Sequence, residues 1–281
     1  SYASDQSFMD AITSLNSPIP GSQNKASIIV PLSTSSTVQQ YLSKFLTVQS
    51  APRNKGEAIG FIGYAIGTTP ATARQIARSI KSERVIAVYP AGAILSIDID
   101  NTTSEFAVGG EFLAAAMAGM STDPSIDVAT TLTRRSMVGF NRLVARFDDP
   151  TMDQMAADGV TLLIENNGAF TVRHYLTTNP SNPITKEPTN TTITDYVRKG
   201  IRSALDPFIG RKNLGALVND VTVVMNSLMK SYVEQEIIEG YKNLDVQRDI
   251  NDPTVLNVTV AFKPVFSLLY VNVTLKVTTK L

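Results

Sequence analysis

Residues 56–90 read GEAIGFIGYAIGTTPATARQIARSIKSERVIAVYP, and this stretch decides the fold. Ala58 to Gly63 is apolar, and no charge falls between Ala58 and Thr72, as expected of a strand covered on both faces. Thr68-Thr69-Pro70 opens a helix, because threonine at a cap accepts an orphan amide and proline in the first turn forfeits no hydrogen bond. Ala73, Ile76, Ala77 and Ile80 share one face of that helix, while Arg74, Gln75, Arg78 and Lys81 lie on others. Arg84 to Tyr89 is a second buried strand, stopped by Pro90. Two buried strands joined by such a helix make a right-handed βαβ unit with parallel strands.

Upstream, residues 1–24 are poor in apolar anchors and rich in turn formers, so they read as an extended lead-in. Ala26 to Leu32 is a strand, and Val38, Tyr41, Leu42, Phe45 and Leu46 recur with helical spacing. The first hundred residues thus read βαβαβ. Downstream come a short strand at Ile94–Ile99 ending in the turn Asp100-Asn101, an alanine-rich helix to Met120 opened by Gly109-Gly110, and a mostly irregular stretch from 121 to 138. Asn141 to Phe147 is a candidate strand, and Asp149-Pro150 starts a helix to Asp158. Val160–Ile164 and Phe170–Leu176 form a hairpin about Asn166-Asn167-Gly168.

Residues 178–191, with three prolines, read as a linker. A helix from Thr192 to Leu205 with capping-box spacing follows, then a long helix striped by Leu214, Leu217, Val218, Val221, Met225, Leu228 and Tyr232 and ended by Gly240. Leu256 to Phe262 alternates apolar and polar residues. So does Leu269, Val271, Val273, Leu275, Val277, and such alternation indicates an antiparallel sheet wet on one face. The fold class expected is α/β: a βαβ-based sheet domain with flanking helices over 1–178, then a smaller α+β domain with an antiparallel sheet over 179–281. The closing strand has nothing after it in sequence to cover its edge. Leu269, Val271, Val273, Leu275 and Val277 are therefore the candidate subunit-contact residues.

Composition narrows the function. The chain has 281 residues, zero net charge and 18% charged residues, against roughly 25% in typical soluble domains. A surface so weakly charged repels its neighbours little and favours association. No basic excess points to nucleic acid, and no apolar run approaches the ~20 residues that insert across a membrane. No charged-then-apolar leader opens the chain, which starts at Ser1 without methionine and so reads as a fragment or a processed form. There is no cysteine, hence no disulfide or thiolate metal site. Asn101, Asn190, Asn257 and Asn272 stand in glycosylation patterns that read as strand and turn polarity.

Catalytic and cofactor motifs fail in detail. Gly60, Gly63 and Gly67 follow a strand, but their G-x-x-G-x-x-x-G spacing is not the G-x-G-x-x-G that admits a pyrophosphate, and Tyr64 and Ile66 would obstruct it. The glycines read instead as tight packing points. His174 is the only histidine and has no G-x-S-x-G partner. Asp148, Asp149, Asp153 and Asp158 lack calcium-loop spacing, and a helix beginning at Pro150 accounts for the acids at its amino end. No cofactor and no catalytic set is expected. A nucleotide-dependent enzyme on a doubly wound sheet is the competing reading.

Several stretches, in order, resemble the conserved carboxyl-terminal half of contractile bacteriophage tail sheath proteins. They are Arg84–Pro90, Ala115–Gly119, Ala157–Leu163, Phe170–Thr178, Pro207–Gly210 and Phe262–Val271, spread over about residues 26–278. Low charge and threonine-rich strands give a narrower likeness to phiKZ-like giant phages. The resemblance implies a structural, non-enzymatic subunit that polymerises with itself as a helical sheath around a tail tube protein. It implies baseplate and tail terminator proteins as further partners, a place in the virion after assembly in the host cytoplasm, and contraction that drives the tube through the envelope. It also implies that terminal arms, here Ser1–Gln23 and Leu269–Thr279, add strands to neighbouring subunits. The sheath of a bacterial contractile injection system would carry the same motifs.

Overall fold

A computed structural model describes residues 3–19, 25–99, 102–166 and 168–269. The chain starts with helix α1 (Asp5–Ser14), strand β1 (Ile28–Ile29) and helix α2 (Ser36–Gln49). The βαβ unit follows as β2 (Ile59–Ile62), α3 (Pro70–Ile80) and β3 (Val85–Tyr89), its strands parallel with Phe61 beside Ile86. Thr69 caps α3, its hydroxyl accepting from the Thr72 amide at 3.3 Å, and Pro70 fills the first turn as expected. Every residue of β2 and β3 is buried. Their side chains go alternately to two cores, which is why both strands read as unbroken apolar runs. Ile62, Val85, Ala87 and Tyr89 face α2 and α3; Ile59, Phe61, Ile86 and Val88 face the opposite layer.

Beyond β3 the chain adds β4 (Gly92–Ile99), β5 (Thr102–Gly109), α4 (Gly110–Met120), β6 (Ser136–Met137), β7 (Arg142–Leu143), α5 (Asp149–Ala157), β8 (Val160–Asn166) and β9 (Ala169–Val172). The main sheet has the order β1-β2-β3-β8-β9-β6, parallel through β8 and antiparallel at β9 and β6. A smaller antiparallel sheet, β5-β4-β7, lies beside it. Leu113, Ala114 and Met117 of α4 cover the second face of the main sheet. Then come α6 (Pro183–Lys186), α7 (Pro188–Leu205), α8 (Gly215–Glu234), β10 (Ile238–Arg248) and β11 (Leu256–Pro264), packed about a third core of Ile193, Val197, Met229, Tyr232, Ile237 and Ile238. The α/β class with a following antiparallel α+β part is the one expected.

Several expectations need correction. The lead-in is not extended throughout: Ser4 caps α1, and Phe8, Ile12 and Leu15 pack on the α2 side of the core at helical spacing. The strand expected over Ala26–Leu32 pairs only at Ile28 and Ile29, and that over Asn141–Phe147 only at Arg142 and Leu143. Strands β5 and β10 were not expected. Gly240 does not end α8; it lies within β10, which pairs antiparallel with β11. The turn residues Asp100, Asn101 and Asn167 lie outside the described residues.

The stretch 178–191 is no loose linker. Thr178 exchanges hydrogen bonds with the backbone of Ser82, Thr191 donates to Glu83 O, and Glu187, Thr189, Asn190 and Thr191 are buried. Several of its polar side chains, Thr178 and Thr191 among them, find hydrogen-bond partners inside the fold, where their chemistry suggested a solvated loop. Burial also removes Asn190 from consideration as a glycan site. Helix α7 starts one turn before Thr192, whose hydroxyl donates to Thr189 O inside the helix.

Candidate assembly surface

Strands β10 and β11 form a two-stranded ribbon that hydrogen-bonds to no other described strand. Nine to eleven residues make it about 30–37 Å long. One face lies on α7 and α8 through Ile238, Tyr241, Val260 and Phe262; the other is wet. Among the described residues neither outer edge pairs with another strand, so each can accept an extended segment that comes alongside. A bulge at Asn243, whose φ is 55°, shifts the register between Lys242 and Asp245 and twists that edge locally.

The ribbon's supporting helix is bolted to the main sheet. Arg84, at the start of β3, sends Nη1 to Asp195 Oδ2 at 2.7 Å and Nη2 to Oδ1 at 2.9 Å, and Nη1 also reaches Ala58 O. Both side chains are buried. Two turns further along α7, Arg202 makes a second fork to Glu57, both bonds 2.6 Å, and Lys199 Nζ approaches Glu57 O. Burial pushes the Glu57 carboxyl up, but the Arg202 hydrogen bonds and the charges of Arg202 and Lys199 outweigh it and hold the group below its usual range. Bidentate pairs fix orientation as well as distance, so helix and sheet are registered to one another. Sequence reasoning missed all four residues. The signal was there in isolated charges flanking apolar strands and, at Asp195, on the inner stripe of a helix between Ile193 and Val197.

The loci weighed for chemistry take structural roles. A Cβ on Gly63 would sit 2.0 Å from the Gly110 backbone, and one on Gly60 would meet Leu42 and Leu46, so these glycines permit close packing. Tyr64 fills the space beside α3, its hydroxyl donating to Ala73 O at 3.1 Å, while Tyr89 donates to Thr68 O at 2.7 Å. Burial raises both phenols, Tyr89 to about 12. His174 lies past β9, not within a strand, and is buried. Desolvation first, then the Arg173, Arg134 and Lys186 charges, lower it to about 4, so it is neutral at pH 7. Asp149 and Asp153 face Arg173, and Asp158 takes Arg74 and Arg78. Among the described residues no group of three or more acidic, histidine or cysteine side chains could hold a metal, and no helix is long and apolar enough to cross a membrane.

Asp158 yields a pH prediction. Burial raises its carboxyl, but the hydrogen bonds from Arg78 and Arg74 prevail and set it below its ordinary value. A depressed carboxylate contributes stability that is whole above the unfolded value of about 3.9 and fades as pH falls through the folded one. Asp158→Asn should therefore cost about 1 kcal/mol at pH 7 and progressively less below about pH 4, read from urea melts across pH.

Of the candidate contact residues, only Leu269 lies among the described residues; it is half-buried and outside any strand. Val271, Val273, Leu275 and Val277 lie outside them. The segment leading there leaves β11 with the Val265 amide donating to Ile237 O, and Ser267 hydrogen-bonds the buried Glu187 carboxylate. Phe266 and Leu268 point outward, Leu268 77% exposed.

Residues 181–278, which contain the ribbon and this segment, match the family model described as phage tail sheath C-terminal domain. The tail sheath protein of Mycobacterium phage Bxz1 is 28% identical over 257 residues, 89% of this chain and 43% of that protein. This chain is similar to phage tail sheath proteins. The tail sheath protein of Bacillus phage SP01 is 27% identical over 203 residues, covering 71% of this chain and 35% of its own length. The chain thus spans less than half the length of these curated relatives. In fold it resembles the sheath of an extracellular contractile injection system, the PVC sheath complex in its contracted state. That likeness has a TM-score of 0.71 at 14% identity and covers 96% of this chain and 75% of the other.

Proposed function

We propose that the chain is a structural subunit of a contractile phage tail sheath, polymerising helically around the tail tube and contracting to drive it through the host envelope. The observation that carries this is the open-edged β10–β11 ribbon inside the region that matches the sheath C-terminal domain. Helices α7 and α8 cover one face of this ribbon, but among the described residues no further strand pairs with its edges, so it can accept one. A strand from a neighbouring copy on its edge would extend the ladder and join subunits without any bound cofactor. The alternating segment Leu269, Val271, Val273, Leu275, Val277 is the strand proposed for that role. The forks at Arg84–Asp195 and Glu57–Arg202 support movement of sheet and ribbon as one body when the lattice rearranges. The division at 178/179 is supported by the family match beginning at residue 181.

In this reading the subunit is not an enzyme. Its partners are other copies, the tail tube, the baseplate and the tail terminator, and its place is the virion after assembly in the host cytoplasm. Low charge and threonine-rich strands support a phiKZ-like origin within the phages. Likeness to an injection-system sheath supports the bacterial alternative, and the genes neighbouring this one would separate the two.

Val273→Pro tests the arm. Proline removes one ladder donor and is tolerated in strands only at edges and bulges. The concentration needed for assembly, followed by light scattering, should rise at least about tenfold, the equivalent of ~1.4 kcal/mol per contact, while the thermal melt of the subunit holds. Unchanged assembly would exclude residue 273 from the intersubunit ladder.

A further inference from the structure

The far end of the ribbon carries a feature that strand exchange does not use. Between Arg248 and Leu256 the chain turns through Asp249-Ile250-Asn251-Asp252-Pro253-Thr254-Val255. This tip is rigidly built. Asp249 Oδ1 accepts from the Asn251 and Asp252 amides and its Oδ2 from Asn257 Nδ2. Asp252 Oδ1 accepts from the amide and hydroxyl of Thr254, and Asn213 Nδ2 donates to Pro253 O. The ordered loop nonetheless leaves Ile250 98% exposed, between two aspartates that their hydrogen bonds keep ionised. Ile209 and Leu214, beside Asn213 on the loop tied to the tip, are also exposed. A preorganised turn that holds an aliphatic side chain in water gains nothing from doing so within one subunit.

The same chain carries a matching hollow elsewhere. A cavity of about 320 Å³ lies between α7, β2 and the loop after α4, with Ile28, Ile59, Ile126, Val128 and Leu132 among its walls. Through Ser27, Glu57 and Lys199 it opens into a second cleft lined by Lys25, Lys55, Lys199 and Arg202, four cations against the one carboxylate of Glu57. Lys55 holds a left-handed backbone, φ 52°, a conformation that costs a side-chain-bearing residue free energy and often marks a working site. Charges complement in both directions. The tip presents Asp249 and Asp252 to this basic cleft, while Asp127 stands on the cavity's rim and Arg211 and Lys212 on the loop tied to the tip.

We infer that Ile250 of one copy seats in the cavity between α7 and the loop after α4 of a second copy, with Asp249 and Asp252 against the neighbour's lysine cleft. Tip and cavity are different surfaces of one chain, so the contact is head-to-tail and propagates into an open chain rather than closing as a dimer. This rests on the reading that the protein assembles with itself, but it adds a contact separate from the exchanged strand.

The chain contains no cysteine, which makes the test clean. A protein carrying both Ile250→Cys and Thr130→Cys, the latter on the cavity wall, should give a ladder of disulfide-linked dimers, trimers and higher species on mild oxidation. Each single variant should stop at a faint dimer. The control pair Val138→Cys with Thr130→Cys places a thiol of similar exposure on another surface. A ladder no stronger than that control overturns the inference. Electron microscopy of the same samples separates the two claims: tubes without a ladder overturn the tip contact and leave the sheath reading standing, whereas neither tubes nor ladder removes both.

Discussion

Asp195→Ala should destabilise the protein by about 3–5 kcal/mol, the range for removing one partner of a buried ion pair. Arg84 would keep only Ala58 O, and its guanidinium, 8% exposed in the native state, would have no carboxylate within reach. The cost comes from stranding a charge rather than from losing an attraction. The double replacement Arg84→Met with Asp195→Leu should therefore recover most of the loss. Equilibrium denaturation of the three variants measures this directly. The second fork should be less sensitive, since Arg202 is about one-third exposed and water can replace part of what Glu57 supplies. If Asp195→Ala alone were neutral, α7 would not be fastened to the sheet at this point, and the view of sheet and ribbon as one body would weaken.

Gly63→Ala should be worse. The added Cβ would fall 2.0 Å from the carbonyl carbon and oxygen of Gly110 and 2.2 Å from the Glu111 amide, all backbone, with no side chain free to swing away. Gly110 is also tight from its own side, where a Cβ would lie 2.6 Å from the Tyr64 amide. The Gly110 amide also donates to Tyr64 O at 3.0 Å, so separating the two segments breaks a hydrogen bond as well as opening the core. A loss above about 4 kcal/mol, or failure to accumulate as folded protein, is expected. Gly119→Ala is the control: it lies in the same helix with nothing near its Cβ, and should gain a few tenths to about 0.5 kcal/mol from lower backbone entropy. Circular dichroism melts of both variants would show whether the glycines after β2 serve packing. A bound ligand would instead predict that Gly63→Ala folds.

How much of this was legible in sequence follows from where each side chain goes. β2 and β3 declared themselves because both faces are buried, and Thr69-Pro70 declared the start of α3 because caps are local chemistry. β10 was hidden because most of its residues face water, leaving Tyr241, Leu244 and Val246 as faint alternation among charges. The 178–191 stretch misled for the opposite reason: its polar side chains are inside, bonded to backbone 96 and 108 residues earlier in the chain. Helix α1 was visible in Phe8, Ile12 and Leu15, but the turn formers after it dominated the reading. Of the assembly surface, the family stretches could be read. The forks could not, because Glu57 and Arg202 stand 145 residues apart and each alone looks like an ordinary solvated charge. Ile250 was equally silent, since one isoleucine between aspartates becomes informative only once it is found standing in water.

The claim on which everything else depends is that this polypeptide acts by binding copies of itself. Electron microscopy of the concentrated protein addresses it most directly. Rings or tubes with a repeating subunit are expected; a protein that stays monomeric at high concentration, with no ordered particles on the grid, would contradict self-assembly.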